Sequence, residues 1–158
     1  MKRKNKHTQI LQVFTWSLLL IAIKASALQS WTLSPPRVIS EQGRLAIVLS
    51  NSNSGGENLY IVPLMNDSKC KNGVVFNPKQ ANSARFNGTL IKLADACDGN
   101  THYFYPLTSE GSKFLISLFL NSSSVYLLQG DFSENISAQG FSATLNAFRR
   151  SSNSTGGL

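Results

Sequence analysis

The chain has 158 residues, 15 of them Lys or Arg and eight Asp or Glu, a formal net charge of +7, with two cysteines and two histidines. A nucleic-acid partner needs basic side chains clustered along one face; here they are scattered singly, except for a group at the start and the pair Arg149-Arg150. So few His and Cys also leave little material for metal sites or acid–base catalysis.

Residues 1–9 carry Lys2, Arg3, Lys4 and Lys6 and no acid; residues 10–23 are apolar but for Gln12, Thr15 and Ser17; Ala25-Ser26-Ala27 follows. A basic start, a short apolar centre and a small-residue exit are the three parts of a secretory signal. Lys24 ends the apolar run short of the roughly 18–20 residues that cross a hydrocarbon layer. The expected organisation is a signal peptide over residues 1–27, a single β-rich domain over 28–150 and a flexible tail over 151–158. Five of the basic residues lie in 1–27 and all the acids lie beyond it, so most of the net charge belongs to the leader.

Residues 44–50, RLAIVLS, are apolar on both alternating faces, as in a central strand covered on two sides. The turn formers NSNSGGE end it, and residues 58–65, NLYIVPLM, form the next strand, which Pro63 assigns to an edge or a bulge. Cys70 and Cys97, in the turn-like stretches NDSKCKNG and ADACDGN, are the only cysteines. An exported pair is most simply one disulfide, closing a roughly 28-residue loop worth on the order of 3–4 kcal/mol. Metal ligation would need further ligands, and beyond the leader the only histidine is His102.

Residues 73–76 and 89–94 are shorter strand candidates, and 77–88, NPKQANSARFNG, lacks a period and reads as a loop that presents Arg85. Residues 101–105 alternate Tyr103 and Tyr105 against His102 and Phe104, with Tyr60 on a neighbouring strand. Residues 113–120, KFLISLFL, read as the strongest strand, turned by NSSS into 125–128 as a hairpin. Phe141, Leu145 and Phe148 fall on one helical stripe ending in Arg149 and Arg150, which suit the negative pole of a helix. The same letters also alternate, which leaves a strand open. The expected fold is mainly β, an antiparallel sandwich or small barrel with a short C-terminal helix and one disulfide.

No catalytic residue is assigned. A Ser or Cys nucleophile needs a positioned base, and His102 reads as a strand histidine. Ser68-Lys69-Cys70-Lys71 satisfies S-x-x-K, but the accompanying S-D-N and K-T-G elements are absent. No phosphate-cradling glycine loop and no calcium loop occurs, so no cofactor or metal is expected. The five N-x-S/T sequons, at Asn66, Asn87, Asn121, Asn135 and Asn153, are only a mild excess over chance. The candidate binding surface is Tyr60, Tyr103 and Tyr105 on a sheet, since exposed tyrosines hold sugars, peptides or partner surfaces. An open sheet edge is a second candidate, and Arg85 is the anchor of a third, inhibitor-like, reading.

The stretch GFSATL, residues 140–145, after the segments 113–120 and 125–128, resembles the closing segment of the invasion-associated locus B family. Those are exported bacterial β-rich proteins with no established catalytic site, and the likeness covers about a quarter of the chain. Arg37-Val38-Ile39 with LYIV at residues 59–62 is also similar to the first domain of periplasmic pilus chaperones. Both resemblances imply an exported β-sandwich.

These readings converge on a non-enzymatic bacterial envelope protein, periplasmic or secreted, acting by protein or surface binding as an accessory of a secretion, pilus or host-interaction system. The expected partner is another envelope or host protein, with a membrane involved only if residues 1–27 stay attached. A secreted enzyme inhibitor and a small hydrolase using Ser68 or His102 are the alternatives.

Overall fold

The computed structural model describes residues 29–52, 55–65, 70 and 79–155. The expected leader and the strand proposed at residues 73–76 lie outside them. Among the described residues, ten strands form two antiparallel sheets.

The first five strands are β1 (Arg37–Ile39), β2 (Leu45–Asn51), β3 (Glu57–Pro63), β4 (Lys79–Gln80) and β5 (Ala84–Phe86). After them come β6 (Thr89–Ile91), β7 (Leu93–Asp98) and β8 (Thr101–Pro106), then helix α1 (Ser109–Asn121), β9 (Ser124–Gln129), β10 (Phe132–Ser137) and helix α2 (Phe141–Thr155). The larger sheet runs β1-β2-β3-β8-β7-β4 and the smaller β10-β9-β5-β6. Lys92 alone separates β6 from β7, so this chain segment crosses from one sheet to the other, as corners of sandwiches do. On the opposite side Glu41 N–H donates to the Asn135 carbonyl at 2.9 Å and ties the β1–β2 turn to β10.

Alternation sets the inner layer. Leu45, Ile47 and Leu49 of β2 and Leu59 and Ile61 of β3 are buried on one face. They meet Phe86, Val125, Leu127 and Ile136 of the smaller sheet in one core. β2 lies between β1 and β3, as expected of a central strand, with Ala46 buried and Val48 half-buried on its other face. β3 is flanked by β2 and β8, so the expected edge position is wrong; Pro63 sits at the end of the strand, where a missing N–H costs least.

Residues 113–120 are not a strand and form no hairpin with 125–128; they lie in α1. Thr108 caps that helix, its hydroxyl accepting from Gly111 N–H at 3.1 Å, and Glu110 sits in the first turn near the positive helix pole. Leu115 and Phe119, four apart, are buried, while Ser109, Lys113, Ser117 and Asn121 form an exposed stripe at the same spacing. β9 pairs instead with β10 and β5. Within 77–88 the expected loop is replaced by β4, β5 and an Asn87-Gly88 turn with φ of 46° and 86°, the left-handed pair that a two-residue hairpin requires.

The helix expected on Phe141 and Leu145 is present, with both residues buried. It runs on to Thr155, past residue 150. Trp31 fastens the N-terminal segment beneath both helices. Its ring meets Phe141 at 4.7 Å and Phe119 at 5.7 Å, and its indole N–H donates to the Ser137 carbonyl at 3.1 Å. Cys70 and Cys97 form the expected disulfide, with both residues buried and their Cα atoms 5.7 Å apart.

Candidate functional site: an aromatic sheet face

The β3–β8 pairing matches Ile61 to Phe104 on the inner face. Because strand side chains alternate, Tyr60, Tyr103 and Tyr105 then share the opposite face. Tyr60 is 5.5 Å from Tyr103 in an edge-on contact and 5.8 Å from Tyr105, with Tyr103 and Tyr105 6.1 Å apart. These separations lie in the favourable range for aromatic pairs. On β7 the residues directly opposite Tyr105 and Tyr103 are Ala94 and Ala96, both buried and both small. Val48 stands opposite Tyr60 on the other side, so the three rings rise between an aliphatic border and a low alanine floor.

All three tyrosines are half-buried. The Tyr60 hydroxyl donates to the Asn51 carbonyl at 3.2 Å, which fixes that ring. Burial raises the Tyr60 pKa above the ordinary tyrosine value, a hydrogen bond with Asn58 opposes the shift, and Tyr103 adds to it. Burial likewise raises Tyr105, helped by Tyr103, Tyr60 and Asp95. Both rings therefore stay neutral well past neutral pH and present apolar bodies with polar tips. A hollow of about 280 Å³ adjoins Tyr60 and Tyr103, floored by Val48 and Val62 and rimmed by Asp98 and Thr101. Another of about 400 Å³ lies beyond Tyr105, bounded by Asn58, Leu107 and Lys113.

Arg85 is not part of this face and not on a loop. It lies in β5 of the smaller sheet, opposite Leu90 and Leu128, and its Nη1 donates to the Gly88 carbonyl at 2.8 Å. His102 is buried opposite Cys97, with Nε2 3.4 Å from Asp95 Oδ2 and its ring 4.5 Å from Phe104. Ser68 lies outside the described residues. Among the described residues no three His, Cys, Asp or Glu side chains gather as a metal site.

Arg44, just before β2, forms an ion pair through Nε with Glu134 of β10, donates through Nη2 to the Ser133 carbonyl, and stacks 4.6 Å over the Phe132 ring. Glu134 is wholly buried. Ninety residues separate the partners, and the only available signal was an isolated acid within an otherwise uncharged strand. No family model, curated protein or solved structure matches the chain.

Proposed function

We propose that the protein is exported, works in the periplasm or outside the cell, and acts by holding another envelope or host protein on the tyrosine face of its larger sheet. The observation that carries this reading is the Tyr60–Tyr103–Tyr105 cluster, 5.5 to 6.1 Å between rings, standing on the face turned away from the core. Tyrosine supplies large contact area at low entropic cost and is enriched in binding interfaces. The disulfide suits an oxidising compartment. Among the described residues no helix is long and apolar enough to cross a membrane. The likeness of residues 140–145 to the invasion-associated locus B family is in keeping with an accessory role at the cell envelope.

Chemical cross-linking in intact cells tests the reading. The pair Tyr103→Ser and Tyr105→Ser is expected to abolish the cross-linked partner while the variant still unfolds cooperatively, whereas Tyr126→Ser on the other sheet leaves it. An undiminished partner in the first variant refutes the assignment. Intact mass of protein recovered from outside the cytosol tests the compartment, with loss of residues 1–27 and an oxidised thiol pair expected.

A further inference from the structure

A cavity of about 300 Å³ opens between the two sheets, on the side opposite the tyrosine face. Its deep walls are the buried residues Leu45, Ile61 and Leu93 of the larger sheet and Ala84 and Leu127 of the smaller. Its outer lining includes Met65, which is exposed, and Arg44 and Gln129, which are half-buried and, among the described residues, the only polar ones on the lining. The volume is at the lower end of ordinary ligand sites, roughly 300–1,000 Å³, and about twice the 150 Å³ of a dry apolar cavity that holds one benzene ring. Walls of this kind give water no hydrogen-bond partners and favour an apolar guest.

The mouth adds a chemical preference. Glu134, Ser133 and Phe132 hold the Arg44 guanidinium from three sides through Nε, Nη2 and the ring face. Nη1 and the second Nη2 hydrogen remain, a planar fork that matches a carboxylate. Gln129 donates one amide N–H to the Asn82 carbonyl at 2.9 Å and carries no charge. Among the described residues Arg44 is thus the one charged group on the lining, shared with the buried Glu134, and its orientation is set before any ligand arrives.

We infer that the cavity takes a single unbranched alkyl chain of about ten carbons ending in a carboxylate, with the tail between the sheets and the head on Arg44. Such a molecule is a medium-chain fatty acid. The site is separate from the tyrosine face, so the two proposals stand or fall independently.

Titration calorimetry of the delipidated, disulfide-bonded protein with decanoate, decanol and butyrate tests the inference. One saturable decanoate site is expected, at least tenfold tighter than decanol, with butyrate not bound. Ala84→Leu, which projects a larger side chain into the deep wall, is expected to weaken decanoate at least tenfold at undiminished thermal stability. The neutral pair Arg44→Gln with Glu134→Gln, which leaves no buried charge unpaired, is expected to bring decanoate down to the decanol level while decanol is unchanged. Absence of saturable decanoate binding overturns the inference, as does decanol binding as tightly as decanoate. Decanoate affinity unmoved in both variants overturns it equally, because the acid then sits elsewhere.

Discussion

Replacing Arg44 by alanine removes the counter-charge from Glu134, whose side chain has no exposure at all, while Arg44 itself is 38% exposed. Breaking a buried ion pair by deleting one partner costs about 3–5 kcal/mol, because the survivor stays charged in a poor solvent. Water already reaches Arg44, which moves the figure toward about 3 kcal/mol. Losing the guanidinium from the Phe132 ring adds about 0.5–1 kcal/mol. Arg44→Ala is therefore expected to lose about 3–4 kcal/mol, a large part of the 5–15 kcal/mol typical of a domain. Adding Glu134→Gln removes the stranded charge and is expected to restore about half of that loss. Urea unfolding at neutral pH with the disulfide intact measures both, provided the dependence on denaturant is unchanged. A single variant within 0.5 kcal/mol of wild type, or a double variant less stable than the single, refutes the reasoning.

Changing Cys70 and Cys97 together to serine opens a loop with a sequence separation of 27, and a loss of about 3–4 kcal/mol is expected in the same unfolding assay. Phe119→Ala empties the junction of α1, Trp31 and Phe141; a loss of about 3–5 kcal/mol is expected by thermal or denaturant unfolding. Tyr60 and Tyr105 are expected to ionise above the ordinary value of 10.0, followed by ultraviolet absorbance. Because the folded protein holds those protons more tightly than the unfolded chain, their contribution to stability is complete below pH 10.0 and falls as pH rises through the folded values.

The strands β2 and β8, the tyrosine face, the disulfide and α2 were legible because each depends on a local period or a unique pairing. Tyr103 and Tyr105 share a face by alternation alone, and only the β3–β8 register was needed to add Tyr60. The run 113–120 misled because a short apolar stretch carries no clear period of its own; the decisive letters were Lys113, Ser117 and Asn121 at a spacing of four, with Thr108 as cap. The Asn87-Gly88 pair was a readable hairpin signal inside a stretch taken for a loop. Pro63 misled by being read as interior when it closes its strand. The Arg44–Glu134 pair and the cavity beside it were not legible, since tertiary packing brings together residues ninety positions apart.

Differential nitration of tyrosines most directly tests whether the aromatic face meets a partner. The chain has four tyrosines, and Tyr126, 46% exposed on the smaller sheet, supplies an internal reference. Labelling at Tyr103 and Tyr105 relative to Tyr126, read by peptide mass, is compared between purified protein and protein in its native surroundings. The account predicts that this ratio falls severalfold in the native setting. An equal ratio in both contradicts it.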